Sequence, residues 1–510
     1  MTKPATQNTN RIAKNTLFLY VRMLLTMGVS FYTVRVVLET LGVVDYGLYN
    51  VVGGVVVMFS FLSSTLATAS QRFFAYELGR GDHVQLQKTF SMTLSIYILV
   101  GVAIFLVAET VGLWFLNNKM NIPLGRTDSV FWVYQFSVFS FIMTMFAVPY
   151  NAAIIAHEDM KVYAYVSVVE ALLKLAIVYL LVLFSSDKLK LYAVLLFGVT
   201  TATSLIYQIY CRRKYSECRY TPYWNKKLFS EIATYSGWNL IGALASALNN
   251  QGLNIVLNMF FGPTVNAARA VAYQINTAVN QFVQNFLVAS RPQITKYYAQ
   301  KDITKMLHLV FQTSKFSFLL LSLISIPVLI ETRFILEIWL AKVPDHTILF
   351  TKLVLINTLI DCFSYPLMAA AQATGNIKRY QLIVGGVMTL NLPIAYVLLS
   401  TGLAPETVFF CSIANSIVCL ALRLLILRQM LDLQIGVFIT KVLLVSVACF
   451  ALSYYTPMLI TQNMSDGIVR FLVVGSLSVI TTALSAYSLG LTSIEKETLS
   501  SQIKLRFSKM

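Results

Sequence analysis

The sequence predicts an all-α polytopic membrane protein of about fourteen transmembrane helices, built as two parallel-repeat six-helix lobes plus two C-terminal helices. Three observations lead there. The 510 residues are 57% hydrophobic and 12% charged, with a mean hydropathy of +0.69. A soluble domain carries about 25% charged residues, so the polar surface such a domain needs is missing. Apolar windows of about 20 residues, enough to span roughly 30 Å of hydrocarbon, recur from end to end. Finally, the chain repeats itself.

The apolar windows centre near Thr26, Met58, Val102, Ser140, Val178, Thr200, Ala247, Val279, Leu321, Leu359, Met388, Ile413, Ser446 and Gly475. The repeat shows first in PYNAAIIAHEDMKVY, from Pro149, and PLMAAAQATGNIKRY, from Pro366. An offset of 217 (366 − 149) aligns the prolines, Ala152-Ala153 with Ala369-Ala370, Ala156 with Ala373, Lys161 with Lys378 and Tyr163 with Tyr380. Earlier in the chain an offset of 220 (262 − 42) aligns Gly42 with Gly262, Ala69-Ser70 with Ala289-Ser290 and Asp82 with Asp302. Each unit holds an even number of spans, so both copies enter from the same side of the membrane. The lobes are set at residues 1–215 and 216–434. Residues 435–510 carry two further spans and a tail.

A net charge of +17 would suit a nucleic-acid binder, but its placement argues for a membrane protein. Of 39 Lys and Arg, 25 fall in the N-terminal tail, the even-numbered loops and the C-terminal tail, Arg423 and Arg428 among them. That alternation is the positive-inside pattern and places both termini in the cytoplasm. The first apolar run carries Arg22 and Arg35 and has no small-residue cleavage pattern, unlike a removable leader. The six cysteines form no CxxC pair, with Cys211 and Cys218 placed in a loop, and the four histidines sit in or beside loops. Neither a metal site nor a cofactor is therefore expected. Phosphate-cradling glycine loops and clustered Asp pairs are also lacking, so no enzymatic activity is expected.

The first span with Arg35, followed by LETLGVVDYGLYN and SQRFFAYELGRGD, resembles the start of bacterial polysaccharide and O-antigen flippases. These belong to the multidrug/oligosaccharidyl-lipid/polysaccharide exporter superfamily. The resemblance implies a V-shaped, MATE-like transporter in the inner membrane. It would turn an undecaprenyl-diphosphate-linked oligosaccharide outward for surface polysaccharide, such as O-antigen, lipopolysaccharide or capsule. It further implies a lipid-linked substrate, contact with the bilayer, a proton or sodium as coupling ion and a polysaccharide polymerase as partner. The two extra spans depart from twelve-span members and are similar to the lipid II flippase branch. Two other functions stay open. One is a cation-coupled multidrug exporter of the same superfamily, and the other is an integral membrane glycosyltransferase or polymerase.

A lipid-linked oligosaccharide needs cations for its diphosphate and a hydrogen-bonding cavity for its sugars. Arg22, about ten residues into span one, has the best depth for the diphosphate, and Arg35 is placed toward the outer mouth. Arg269 is a further candidate. Arg72 and Arg291, near-equivalent in the repeat, suit a cytoplasmic mouth, although anchoring at the membrane surface explains them as well. Asn250, Asn254 and Asn258 recur every fourth residue on span seven, as do Asn276, Asn280 and Gln284 on span eight, with Gln281 beside them. Each set keeps to one helix face. They are assigned to a sugar cavity, against the plainer reading of amide contacts between helices. Glu170 and Lys174 read as a self-neutralising i, i+4 pair. Asp361, near the middle of span ten, reads as an ion-coupling group or as the counter-ion of Lys315. Pro149 and Pro366 mark matched bends.

Single cysteines at Asn118, Asp187 and Asp466 in a cysteine-free background should react with an impermeant thiol reagent added outside intact cells. Those at Gln85, Ser216 and Lys378 should react only after the cells are opened. Reversed labelling at most sites would overturn the orientation.

Overall fold

The computed structural model describes residues 15–30, 60–119, 125–183, 187–340 and 343–491, with Lys496 and scattered positions between 32 and 52. Every regular element among them is helical. Residues 15–30 form α1. There follow α2 (Ser60–Arg80), α3 (His83–Val107), α4 (Leu113–Lys119), α5 (Thr127–Ala156), α6 (Met160–Leu183), α7 (Lys188–Lys214) and α8 (Lys226–Ala299). The remainder are α9 (Ile303–Ile330), α10 (Thr332–Trp339), α11 (Thr347–Thr374), α12 (Lys378–Ser400), α13 (Thr407–Leu431), α14 (Ile435–Phe438), α15 (Val445–Thr461) and α16 (Ile468–Ser485).

Eleven helical stretches among the described residues are long and apolar enough to cross a membrane. Three of the expected spans are not in that set. Spans one and two run into residues outside the description. Span eight, the second half of α8, carries so many amides that its hydropathy falls. α8 is itself two helices, because Gly262 breaks it with φ 77° and ψ −172°. The glycine is required there, since a side chain is strained at such a positive φ.

The chain divides into two compact units, one of Arg11–Leu240 and one containing Ile241–Met510. Within the first, α5 is the hub, packing against α2, α3, α6 and α7. Within the second, α11 is the hub, packing against α9 and α13. These are the two proline-bearing helices of the repeat. Pro149 and Pro366 are both buried, and each helix continues past its proline. Ala152, Ala153, Ala156, Ala369, Ala370 and Ala373 are 0–5% exposed. Small side chains let neighbouring backbones approach, which membrane helices need because apolar surface alone does not hold them together in lipid.

The turns repeat as closely as the helices. At the α2–α3 turn, Gly81 takes φ 74° and Asp82 caps α3, its Oδ1 accepting from Gln85 N at 2.9 Å. At the α8–α9 turn, Lys301 takes φ 59° and Asp302 caps α9, accepting from Lys305 N at 3.1 Å. The backbone bonds match too, with Asp82 N donating to Glu77 O and Asp302 N to Tyr297 O. Glu158 (φ 61°) and Gly375 (φ 79°) play the same part after α5 and α11. At the other ends of those hubs, Arg126 pairs with Asp187 at 3.5 Å and His346 with Glu406 at 2.5 Å. The last two long helices, α15 and α16, pack on α9 of the second unit. Arg470 of α16 reaches Glu331, just past α9, at 3.0 Å.

Asp82→Ala and Asp302→Ala should each lower stability by about 1 kcal/mol through loss of a helix cap. Gly81→Ala should cost about 1 kcal/mol, because a Cβ is strained at that φ, whereas Lys301→Gly should cost nothing. Thermal unfolding of the purified variants in detergent reads all four.

Candidate functional site

In the first unit the candidate centre is Arg22 on α1. Its guanidinium lies over the Tyr163 ring on α6, 4.7 Å from the centroid. Its Nε is buried without a hydrogen-bond partner, and among the described residues no other donor of the side chain bonds to anything. Tyr207 of α7 sits in the same neighbourhood, within electrostatic reach of Arg22, Tyr163 and Glu170. Glu170 is committed elsewhere, bound by Lys174 at 2.7 Å, the i, i+4 pair read from the sequence. A stacked ring stabilises a cation by roughly 0.5–2 kcal/mol and leaves its in-plane N–H groups free.

In the second unit a polar network joins the second half of α8 to α11, α12 and α13. Thr358 donates to Asn276 Oδ1 at 2.5 Å, and Asn280 donates to the Tyr365 hydroxyl at 3.3 Å. Asn357 donates to Asp361 at 3.0 Å, and Ser416 also hydrogen-bonds that carboxylate. Arg423, 8% exposed, donates to the Tyr380 hydroxyl at 3.0 Å and to Ser364 Oγ at 2.9 Å, with Asp361 acting on it electrostatically. The amide face of α8 therefore divides. Asn276 and Asn280 hold α11, while Asn254, Gln281 and Gln284 make no side-chain hydrogen bond among the described residues. On the first half of α8, Asn249 accepts from Asn391 at 2.9 Å. The Asn250 side chain is exposed, and its carbonyl accepts from Arg269 at 3.0 Å. Arg269 is buried and also stacks on Tyr273 at 4.2 Å.

The remaining candidates are placed as follows. Arg35 and the Asn258 side chain lie outside the described residues. Arg72 rests among the rings of Phe73, Tyr76 and Tyr235 at 4.7–5.5 Å. Arg291, like Arg72, is half-buried about two turns before the end of its helix, since α2 runs on to Arg80 and α8 to Ala299. Lys315 is buried on α9, 5.2 Å from the Phe316 ring, and acts on Cys449 of α15. Arg423 is the cation that acts electrostatically on Asp361, and no ion pair joins Asp361 to Lys315 among the described residues.

Two placements differ from the sequence reading. Arg423 was counted among loop cations, yet it is buried within α13. The signal was present in its flanks, Ala421, Leu422, Leu424 and Leu425, which are all apolar. Cys211 was placed in a loop and lies in α7, buried beside Cys218. The repeat-related tyrosines, Tyr163 and Tyr380, each receive an arginine, a role that their alignment in the sequence does not by itself reveal.

This arrangement can be set beside known proteins. The family model described as polysaccharide biosynthesis protein matches residues 12–298, more than half of the 510. Among curated proteins none matches the sequence. Solved structures share the architecture. MATE in the bent conformation superposes at TM-score 0.71 with 14% identity, covering 85% of this chain and 98% of that one. A MOP superfamily transporter from Pyrococcus furiosus, described by the reverse polarity of its binding pocket, gives 0.69 and 14%, covering 85% and 99%. The MATE transporter ClbM in complex with Rb+ gives 0.70 and 14%, covering 84% and 96%. At such identities the likeness is one of fold. With more than half of its length matched by the family model, the chain belongs to the polysaccharide biosynthesis protein family.

Proposed function

We propose that the protein is a flippase that moves an undecaprenyl-diphosphate-linked oligosaccharide from the cytoplasmic to the outer leaflet of the inner membrane by alternating access. Both termini are cytoplasmic in this reading, and the product feeds a polymerase that builds surface polysaccharide. A single observation carries it. Arg22 stands on a membrane helix with its Nε buried and with only an aromatic face as partner among the described residues. A cation in hydrocarbon costs at least about 2.5 kcal/mol on the insertion scale, so a bilayer protein keeps one where an anion or water meets it. A diphosphate suits the group, because a guanidinium offers paired donors in a planar fork that an ammonium does not reproduce.

The sugars, in this reading, meet the amides left without bonds, Asn254, Gln281 and Gln284, with Asn250 and Asn258 on the same stripe. Asn276 and Asn280 each keep spare acceptor or donor capacity. Arg269, Arg35, Arg72 and Arg291 are secondary contacts for the diphosphate along its path. Asp361 is the ion-coupling candidate, with proton or sodium as the ion, and Lys315 stands apart from it. Pro149 and Pro366 place matched hinge points in the two hub helices. The competing reading, a cation-coupled multidrug exporter, draws on the MATE likeness. It needs a free carboxylate for a cationic drug, and the Asp361 carboxylate is already bonded by Asn357 and Ser416 with Arg423 nearby.

Arg22→Lys should insert and fold normally but lose most transport, and Arg22→Ala should lose nearly all of it. In cells the lipid-linked precursor should then accumulate on the cytoplasmic leaflet while surface polysaccharide disappears. Asn254→Ala or Asn280→Ala should reduce transport only partially, because many weak sugar contacts share the load. Intact surface polysaccharide with raised sensitivity to cationic dyes in a strain lacking the protein would favour the exporter. Normal transport by a stably inserted Arg22→Ala protein would make Arg22 a structural cation only.

A further inference from the structure

At the end of the first unit where α5 turns into α6, two cavities adjoin and share Lys214. One, of about 440 Å³, lies among Asn15, Phe18, His157, Asp159, Lys161 and Lys214. The other, of about 390 Å³, runs along α7 among Ile206, Ile209, Tyr210, Arg213 and Lys214. The first mixes charged side chains, the carboxylate-bearing Glu158 among them, with the Phe18 and Tyr215 rings, and the second is apolar, with Ile206 and Ile209 37% and 50% exposed on α7.

The cations here divide into engaged and unengaged. Lys214 is paired with Asp159, which also accepts from the Tyr210 and Tyr215 hydroxyls at 2.8 and 3.2 Å. Burial pushes the Asp159 carboxyl up, but these hydrogen bonds hold it below the usual carboxylate range. It is thus an anion already committed to its neighbours. Arg212 points inward to the Tyr150 hydroxyl at 3.3 Å. Lys161 and Arg213, one lining each cavity, are exposed and carry no ion pair or side-chain hydrogen bond among the described residues. Lys161 rests only on the Tyr165 ring, 5.6 Å away. The site therefore offers two unpaired positive charges set beside an apolar flank.

The repeat supplies an internal comparison. At the offset of 217 that aligns the ends of α7 and α13 (431 − 214), Arg213 and Lys214 correspond to Met430 and Leu431. There Leu431, Leu433 and Phe438 are 0–6% exposed, packed in the core where the chain leads on to the last two long helices. The second unit covers this face with protein, whereas the first leaves it open and basic.

We infer that the first unit binds an anionic phospholipid of the adjacent leaflet, its phosphate held between Lys161 and Arg213 and its acyl chain laid along Ile206 and Ile209. A phosphate diester with one negative charge complements the two unpaired cations, and basic pockets at the membrane surface favour such headgroups. The hydrocarbon chain fills the flank that the second unit seals with its own residues. This lipid is a fixed companion of the fold, separate from the transported substrate, and the inference does not depend on what that substrate is.

The test uses the full-length protein purified in detergent, with phosphatidylglycerol titrated and bound lipid counted by native mass spectrometry. Phosphatidylglycerol should bind saturably and phosphatidylcholine should not. Glycerol phosphate, the same headgroup without chains, should neither bind nor compete. Lys161→Gln and Arg213→Gln should each weaken the tightest phosphatidylglycerol about fivefold, and the double variant more than tenfold, from the usual contribution of a basic side chain beside an anionic lipid. Neither side chain has an ion pair to lose, so the lipid-free melting temperature should stay unchanged. Lys378→Gln, at the equivalent position of the second unit, should leave the affinity unchanged. Equal binding by the double variant, equal binding of phosphatidylcholine, or full competition by glycerol phosphate would each overturn the inference. If the double variant unfolds, the two single variants decide.

Discussion

A charge carried into hydrocarbon must find a partner or water, and that constraint organises the polar chemistry of both units. Arg423 is met by two hydroxyls and lies beside a carboxylate. Arg269 is met by a backbone carbonyl and a tyrosine face. Arg470 is met by Glu331, a carboxyl whose burial raises its proton affinity despite that cation. Breaking such a buried pair is costly, because the remaining group is left uncompensated. Against that pattern Arg22 is the exception, with one aromatic ring as its described company. The contrast with Arg423 is sharpened by the repeat, since the tyrosines that meet them, Tyr163 and Tyr380, are equivalents. One copy closes the cation off in a network, and the other leaves its donors unspent.

Duplication also sets the mechanical frame. Each unit hangs its helices on one central helix with a proline and a run of alanines, and each begins its next helix from the same capped turn. Where the copies differ, the difference is informative. A glycine in one turn is a lysine at the same positive φ in the other. The backbone geometry is thus retained even where the side chain makes it strained. The outer pairing of hub and following helix is kept as well, with Arg126–Asp187 replaced by His346–Glu406.

Much of this was legible in the sequence. Apolar length set the helices, and the recurrence of prolines, alanines and capping aspartates set the repeat, because those residues act locally on backbone geometry. The Glu170–Lys174 pair was legible for the same reason, as i, i+4 spacing fixes proximity within one helix. What depended on contacts between helices was not. Nothing local says that Asp361 is bonded by Asn357 and feels the charge of Arg423, or that Asn276 and Asn280 turn toward α11 while Gln281 stays exposed. Arg423 was misplaced because a count of basic residues near span ends cannot tell a buried guanidinium from a surface one. Span eight was found by its place in the repeat, although its amides dilute the apolar signal that marks a span.

The hub position of α5 bears on how the protein is made. α2 and α3 are synthesised before the helix they pack against, so in the membrane they must wait for it as separate segments. During that interval their polar positions, among them Ser70, Thr89 and Ser91, all 0–2% exposed in the finished unit, face lipid or one another. Short hydroxyls suit such a delay, because in a helix they can hydrogen-bond back to their own preceding turn, as Ser70 does to Leu66 O at 2.8 Å. The first lobe can therefore be assembled only once its fourth span has inserted, and the second repeats the sequence of events with α9 waiting for α11.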